Sequence, residues 1–276
     1  TQTDSSVTAV VTENFAKGTA SVNRMASVAG ADVIPVDMGV CGDVSEPGVR
    51  NCKIAGGTAN LYKEPAMTRE QALDGIHEGI RLAAEMKDMG YHILAVGEMG
   101  IGNTTTGSAV ASVMLKEEPE TVTGRGAGLS EKGLERKLQV IKEAIALHHP
   151  DNEDPLAVLA ALGGFDIAGM CGLMLGGAIY HIPIVLDGMI SVSAALLAQK
   201  LCPLVTDYLL ASHVGREPAC ELGLKRLGLE PLIHGRLALG VGTGAVLLFP
   251  LLDMAEAVYR QNKTFEDIRI KAYERY

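Results

Sequence analysis

The sequence predicts an α/β fold, a Rossmann-like, doubly wound and mostly parallel sheet with a small helical domain formed by the two terminal segments. Short apolar runs alternate with longer segments of helical period, which is the pattern of repeated β-turn-α units. Several of these runs lead into Gly-rich turns, and the alternation stops near Pro231. We therefore place a large α/β domain at 28–246 and a small helical domain at 1–27 together with 247–276.

Composition and charge argue against several classes of partner. The net charge is -9 and no cluster of Lys and Arg stands out, which disfavours a nucleic-acid partner. No apolar stretch reaches the roughly 18 uninterrupted residues of a membrane span. The 5 cysteines are scattered without CxxC spacing, so we expect reduced thiols in the cytoplasm and neither a disulfide framework nor a zinc site.

The first third of the chain predicts two helices with a buried strand between them. Apolar residues recur at helical spacing over 7–27, although Gly18 lies on the same face. The apolar run at 32–40 predicts a parallel strand with Asp37 near its carboxyl end, and that end of a strand faces the ligand crevice. Asp37 is thus either a site carboxylate or a loop cap. The sequence TREQ at 68–71 is a capping pattern that predicts the start of an amphipathic helix.

A Gly-rich turn follows the next predicted strand, at 91–96, and leads into a helix at 108–115. Glycines let a backbone approach a phosphate closely, and the N-terminus of the following helix offers free N–H groups. This turn, at 97–107, also carries Glu98 where backbone amides cluster. Its glycine spacing fits neither the dinucleotide fingerprint nor the Walker loop, so a turn selected only for tight packing is the alternative.

A second Gly-rich loop, at 123–129, carries Arg125 and precedes Ser130, which predicts a helix cap, and a helix that contains Lys137. One Gly-rich loop with a carboxylate and another with cations fit a bound sugar phosphate. The alternative is that Arg125 and Lys137 are solvated surface charges, which is the usual place of such side chains.

The rest of the chain continues the alternation of helices and strands. Helices are predicted at 154–162, 165–180, 191–201 and 219–227, strands at 182–186 and 204–211 (for the latter, a buried segment is the alternative), and a helical tail at 247–259 and 265–276. The strand at 182–186 ends at Asp187, again a carboxylate at the carboxyl end of a strand. His213 is either a site residue or a hydrogen-bonded polar group beside a helix start, and we favour the structural role. One more Gly-rich turn, at 240–246, precedes the tail.

Five motifs that occur in order along the chain together resemble the nicotinate-nucleotide:dimethylbenzimidazole phosphoribosyltransferase family. They read GEMGIGNTT at 97–105, GRGAG at 124–128, GGFDIAG at 163–169, LDG at 186–188 and GVGTGA at 240–245. The resemblance covers essentially the whole chain, and the first motif is long and specific. Chains of this family normally begin well before the position that matches Thr1. We therefore expect a preceding segment that belongs to the small domain and approaches the base-binding pocket.

The resemblance implies transfer of a phosphoribosyl group from nicotinate mononucleotide to a ring nitrogen of 5,6-dimethylbenzimidazole or a related base. Nicotinate leaves, and the α-riboside 5′-phosphate used as the lower ligand of cobamides forms with inversion. The reaction needs a grip on the 5′-phosphate, electrostatic support for an oxocarbenium-like transition state and a base for the azole proton. No metal or other cofactor is expected, because the leaving group is nicotinate rather than pyrophosphate, and we expect a dimer.

The resemblance also assigns residues to these tasks. Glu98 matches the motif carboxylate near the ribose and the base, and Asp187 matches a strand-end carboxylate of the crevice. The other residues predicted to bind substrate are Gly100, Asn103, Thr104 and Thr105 in the turn that meets the sugar phosphate, Arg125, Gly126 and Lys137 at the phosphate-binding loop, and Gly240 and Gly242 in the last turn.

Val241 departs from the family at the position of the catalytic base. The matching turn of the family reads Gly-Glu-Gly-Thr-Gly and its Glu is the general base, whereas valine cannot accept a proton. Loss of a positioned base costs roughly 10²–10⁴-fold in rate. Either the chain is weak or inactive, or another group such as Glu98 serves, or the chain works beside a second, intact subunit. Gly215, where the family often has Ser, is a milder departure.

Three functions therefore remain open. The first is phosphoribosyl transfer to the benzimidazole, by a homodimer. The second is a subunit of a two-chain enzyme that uses phenol or p-cresol, paired as a heterodimer with a paralogous chain that carries the catalytic Glu. The third is a non-catalytic regulatory subunit that binds nicotinate mononucleotide or the product without turnover.

Overall fold

Two parallel sheets lie within residues 3–274, the part of the chain that this computed structural model describes. The strands are β1 (Val36–Asp37), β2 (Arg50–Asn51), β3 (Leu94–Ala95), β4 (Ile184–Leu186) and β5 (Leu209–Ala211). The larger sheet has the order β3-β4-β5, with Ile184 opposite both Leu94 and Leu209, and β1 pairs with β2. Every pairing is parallel, which confirms the predicted class of sheet.

Helices surround these short strands. They are α1 (Ser6–Ala16), α2 (Ser21–Val28), α3 (Arg69–Asp88), α4 (Asn103–Leu115), α5 (Pro119–Val122), α6 (Glu131–His148), α7 (Pro155–Leu162), α8 (Phe165–Tyr180), α9 (Met189–Leu201), α10 (Pro218–Leu227), α11 (Thr243–Val246) and α12 (Leu248–Gln261), with a 3-10 helix at Pro203–Tyr208. None of the helices within residues 3–274 has the length and hydropathy to cross a bilayer.

Local sequence signals set several helix starts as predicted. Thr68 Oγ1 accepts a hydrogen bond from the Gln71 N–H at 3.1 Å, and Gln71 Oε1 accepts one from the Thr68 N–H at 3.0 Å. This reciprocal pair satisfies two donors that the first turn of α3 leaves free. Ser130 Oγ accepts a single hydrogen bond from the Gly133 N–H at 3.2 Å and so caps α6.

Two predicted elements differ from the structure in ways that local chemistry explains. The helix expected over 7–27 is divided into α1 and α2, and Gly18 between them has a φ of +70°, which ends the first helix. The helix expected over 265–276 is wrong for 265–274, which form a turn and irregular chain. These residues are exposed throughout, so no tertiary packing supports a short helix there. Residues 275 and 276 lie outside the described part.

Helices α3 and α8 pack with their backbones in near contact. A Cβ on Gly79 would lie 2.1 Å from the Gly169 carbonyl oxygen, and one on Gly172 would lie 2.0 Å from the Ile76 carbonyl oxygen. Any side chain at either glycine would separate the helices. This packing fixes the start of α8, which carries Asp166, against the large core.

The N-terminal helices reach the last Gly-rich turn. Val22 and Ala26 of α2 form a small buried cluster with Val246 of α11, and Val241 packs at its edge. The first and last parts of the chain are therefore joined next to Val241.

Candidate functional site

A cavity of about 1700 Å³ opens at the carboxyl end of β3. Its walls come from four of the motifs: the turn at 97–106, residues 125 and 127–129 of the second Gly-rich loop, residues 164–166, and Val241 with Gly242. The prediction that Gly-rich turns meet at the strand ends is thus confirmed, although they are more than 140 residues apart along the chain from first to last.

The first and last turns meet backbone to backbone. A Cβ on Gly97 would lie 2.7 Å from both the Cα and the N of Gly242, so neither turn leaves space for a side chain at Gly97. This contact brings the residue after Gly97, which is Glu98, next to the residue before Gly242, which is Val241. The position of the expected base, 241, and the carboxylate that could serve in its place, Glu98, therefore lie on adjoining turns.

Asp187 holds the last turn in place. Its carboxylate is buried and accepts hydrogen bonds from the Gly242 N–H at 3.0 Å and the Ala245 N–H at 3.1 Å. Asp187 does not line the cavity, and neither does Gly240. The geometry thus gives Asp187 a supporting place behind the turn, where it satisfies two amides at the start of α11.

Glu98 forms one end of a carboxylate pair. Asn103 Nδ2 donates to Glu98 Oε2 and also to Asp166 Oδ2, the latter at 2.8 Å. Glu98 faces the cavity but is otherwise enclosed by protein, and this burial raises the pKa of its carboxyl to about 8. The negative charges of Asp166 and Asp187 add to the rise in the Glu98 pKa. Burial also raises the pKa of Asp166.

Asp166 was missed by sequence reasoning as a site residue. It lies in the GGFDIAG motif, in the first turn of α8, and its second oxygen accepts from the Ile167 N–H at 2.9 Å. The sequence signal was an Asp two residues after a Gly-Gly pair, at a helix start. Nothing in that signal shows which turn the carboxylate faces, because its partner Asn103 is 63 residues away.

Helix α4 begins earlier than predicted, so three of the predicted binding residues belong to its first turn. Gly102, with a φ of +101°, is the N-cap, and Asn103, Thr104 and Thr105 follow in helical conformation. A Cβ on Gly126 would lie 2.7 Å from Thr104 Oγ1, so the second Gly-rich loop packs directly on this helix start. Both candidate phosphate-binding elements are therefore in contact.

The two cations of the second loop differ in their surroundings. Arg125 lines the cavity but pairs with the exposed carboxylate of Glu131, and it donates to the Leu129 carbonyl oxygen at 2.9 Å. Lys137 is only 5% exposed and donates to the Gly124 carbonyl oxygen at 3.0 Å. Burial lowers the pKa of Lys137. A buried lysine aimed at a glycine loop is a stronger candidate for an anion ligand than an exposed, paired arginine.

Val241 brings strain and an apolar surface to the cavity. Its φ is +52°, a left-handed conformation that is unusual for a β-branched residue. Val241 is half-buried and supplies no proton acceptor. The position at which the resemblance predicts the general base therefore presents an aliphatic side chain to the cavity.

The remaining polar candidates have structural roles. Asp37 Oδ1 accepts from the Val40 N–H at 2.8 Å, and the carboxylate pairs with Lys53 at 3.2 Å, which supports the loop-cap interpretation. His213 is buried, with Nδ1 2.9 Å from Ser212 Oγ, as expected for a buried polar group. Across residues 3–274, no three His, Cys, Asp or Glu side chains gather as metal ligands would.

Sequence comparisons connect this arrangement to known enzymes. The DBI_PRT family model, described as a phosphoribosyltransferase, matches residues 1–270. The nicotinate-nucleotide–dimethylbenzimidazole phosphoribosyltransferase of Clostridium acetobutylicum is 49% identical over 268 residues, which are 97% of this chain and 76% of that protein. The protein of the same name from Ruminiclostridium cellulolyticum is 45% identical over 268 residues, with the same 97% and 76% coverage.

Solved structures share the fold. The crystal structure of CobT from Thermus thermophilus matches with a TM-score of 0.93 and 40% identity, over 98% of this chain and 81% of that chain. A second crystal structure, of the nicotinate-nucleotide-dimethylbenzimidazole phosphoribosyltransferase of the same organism, matches with a TM-score of 0.91 and 39% identity, over 98% and 80% of the two chains. The similarity extends over nearly the whole chain, which confirms the predicted α/β fold.

Proposed function

The chain belongs to the DBI_PRT family of phosphoribosyltransferases, and we propose that it transfers the phosphoribosyl group of nicotinate mononucleotide to 5,6-dimethylbenzimidazole or a related base. The products are nicotinate and the α-riboside 5′-phosphate that serves in cobamide assembly. The observation that carries this proposal is the arrangement around the start of α4, beside the cavity. Asn103 in its first turn donates to both Glu98 and Asp166. The loop to which Lys137 is bonded packs on Thr104 in the same turn.

The phosphate end of the substrate fits the second loop. Gly126 packs on Thr104 at the start of α4, and the Lys137 ammonium lies behind Gly124. Backbone N–H groups at a helix start and a buried cation both stabilise a phosphate. We place the 5′-phosphate there and the ribose along the turn at 100–105, which leaves the anomeric carbon near Glu98.

Glu98 supplies the proton acceptor that Val241 lacks. Because the pKa of Glu98 is raised to about 8, its ionised form is a stronger base than an ordinary carboxylate. Asn103 and Asp166 hold this carboxylate toward the cavity. In the proposed reaction the unprotonated ring nitrogen of the azole attacks the anomeric carbon and the C–N bond to nicotinate breaks. The proton on the other ring nitrogen of the azole passes to Glu98.

A second function is favoured by one observation, the aliphatic Val241. If a paralogous chain supplied a Glu in a composite site, this chain would act as one subunit of a heterodimer that transfers the phosphoribosyl group to phenol. In the main proposal the chain is a homodimer. Size-exclusion chromatography with light scattering, with and without the paralogous chain, separates the two assemblies.

A competition assay tests the function. The purified chain is incubated with nicotinate mononucleotide and equal concentrations of 5,6-dimethylbenzimidazole and phenol, and products are resolved by liquid chromatography. We expect nicotinate release with the benzimidazole riboside phosphate as the main product. Binding of the nucleotide without turnover would indicate a regulatory subunit instead. A phenol product that forms only with the paralogous chain would favour the heterodimer.

A further inference from the structure

Glu217 places a carboxylate directly on the second Gly-rich loop. Its Oε1 accepts a hydrogen bond from the Gly126 N–H at 2.9 Å. A Cβ on Gly124 would lie only 2.5 to 2.6 Å from the two oxygens and the Cδ of this carboxyl group, so the loop backbone packs against it without an intervening side chain. Glu217 immediately precedes α10 and is 91 residues from Gly126 along the chain.

The other oxygen of this carboxylate has no evident purpose in the fold. Glu217 Oε2 is buried, and among the described residues no group forms a hydrogen bond with it. A buried anionic oxygen without a donor is unfavourable, so its retention calls for an explanation. The Lys137 ammonium is bonded to the Gly124 carbonyl oxygen of the same loop, and the negative charge of Glu217 acts on it. An internal anion therefore lies where backbone amides and a buried cation are arranged to receive one.

We infer that Glu217 occupies the phosphate subsite as an internal anion that the 5′-phosphate must displace, so that this side chain sets the affinity for phosphate-bearing substrates. The inference rests on the proposed function, in which the loop and Lys137 receive the phosphate. One N–H cannot serve both anions, and two anions in contact in a poorly solvated site repel each other. The neighbouring residues Arg216 and Pro218 are exposed, which leaves the Glu217 side chain an outward path.

The alternative is that Glu217 is a fixed strut that keeps the loop in its binding conformation. The two roles predict opposite effects of removing the charge. An internal anion weakens phosphate binding, so its neutral variant binds more tightly. A strut supports phosphate binding, so any weakening of its contact with Gly126 lowers affinity.

Isothermal titration calorimetry with the full chain tests this. Glu217→Gln keeps an oxygen acceptor for the Gly126 N–H and removes the charge, and Glu217→Ala removes both. Glu221→Gln, at an exposed position on α10, is the matched control. We expect Glu217→Gln to tighten binding of nicotinate mononucleotide by about tenfold, the effect of one like charge at short range, and to leave binding of nicotinate riboside unchanged. Glu217→Ala should also tighten nucleotide binding if it melts at the wild-type temperature.

Each outcome distinguishes this inference from the proposed function. If the wild-type chain binds the nucleotide and Glu217→Gln binds it equally or more weakly, the displaced-anion role is wrong and the proposed function stands. If both ligands change together, the effect lies outside the phosphate subsite and the inference is overturned. If neither the wild type nor the variants bind the nucleotide, the proposed function fails and this inference fails with it.

Discussion

The first and last Gly-rich turns share a backbone design and differ in chemistry. Gly100 and Gly240 each accept a hydrogen bond at 3.0 Å from the residue three positions later, Asn103 and Thr243, and in both turns a left-handed glycine caps the helix that follows. The first turn adds a carboxylate pair, whereas the last turn has Val241 at its centre. Similar sequences of the form Gly-x-Gly thus build equivalent backbone turns before a helix, and the two turns differ in the side chains that they carry.

Glu98→Gln should have the largest effect, because it removes the proton acceptor from the first Gly-rich turn. The glutamine side chain keeps the size of the glutamate and an oxygen that can accept from Asn103. We expect kcat to fall by roughly 10²–10⁴-fold with little change in nucleotide affinity. Stopped assays by liquid chromatography measure the rate, and Glu131→Gln, at an exposed partner of Arg125, is the matched control. Near wild-type turnover in Glu98→Gln would mean that another group is the base. The proposed difference between the two turns, in which only the first carries the proton acceptor, would then be wrong.

Val241→Glu should make the two turns more alike. It places a carboxylate where the resemblance expects the base, and we expect kcat for the benzimidazole to rise by about 10²-fold. Glutamate is also unbranched at Cβ and so suits the φ of +52° better than valine. Val241→Gln has the same shape without basicity and should give no comparable gain. An equal gain in both variants would mean that relief of strain, rather than proton transfer, limits the wild type.

Much of the scaffold could be predicted because its signals are local. The caps at Thr68 and Ser130 involve side chains three residues from their donors, and they formed as expected. The site depends on contacts that no local pattern contains. Asp166 bonds to Asn103 across 63 residues and Glu217 bonds to Gly126 across 91 residues, and only the packing of the helices determines these distances. The motifs indicated which loops meet, but not which acidic side chains they share.

Asp166→Asn tests whether the charge of Asp166 sets the pKa of Glu98. The negative charge of Asp166 helps to raise the Glu98 pKa, so its removal should lower that pKa. Since a general base must be deprotonated to act, wild-type kcat should rise with pH through about 8, and the rising limb in Asp166→Asn should move to lower pH. At pH 7 the variant should therefore lose less activity than at pH 9, or gain.

A matched variant checks this interpretation of the pH profile. Asp253 lines the same cavity and is exposed, so Asp253→Asn removes a charge of the same sign without touching Asn103. Its pH profile should follow the wild type. A rising limb that shifts equally in both variants would point to the general field of the cavity rather than to the carboxylate pair.

The smallest expected effect concerns the backbone of the two turns. Val241 has a left-handed φ, whereas Ile101, its counterpart in the first turn, does not. Glycine adopts that conformation freely, and other residues pay about 1–2 kcal/mol for it. We therefore expect Val241→Gly to exceed Val241→Ala in free energy of unfolding by about 1 kcal/mol, since both lose the same apolar contacts beyond Cβ.

Ile101→Gly should instead be less stable than Ile101→Ala by roughly 0.4–1 kcal/mol, because there glycine only adds entropy to the unfolded chain. Urea unfolding at constant m value measures all four variants. The same order of glycine and alanine at both positions would show that the turns do not differ in backbone strain, and the cost of an aliphatic residue at 241 would then lie in its missing carboxylate alone.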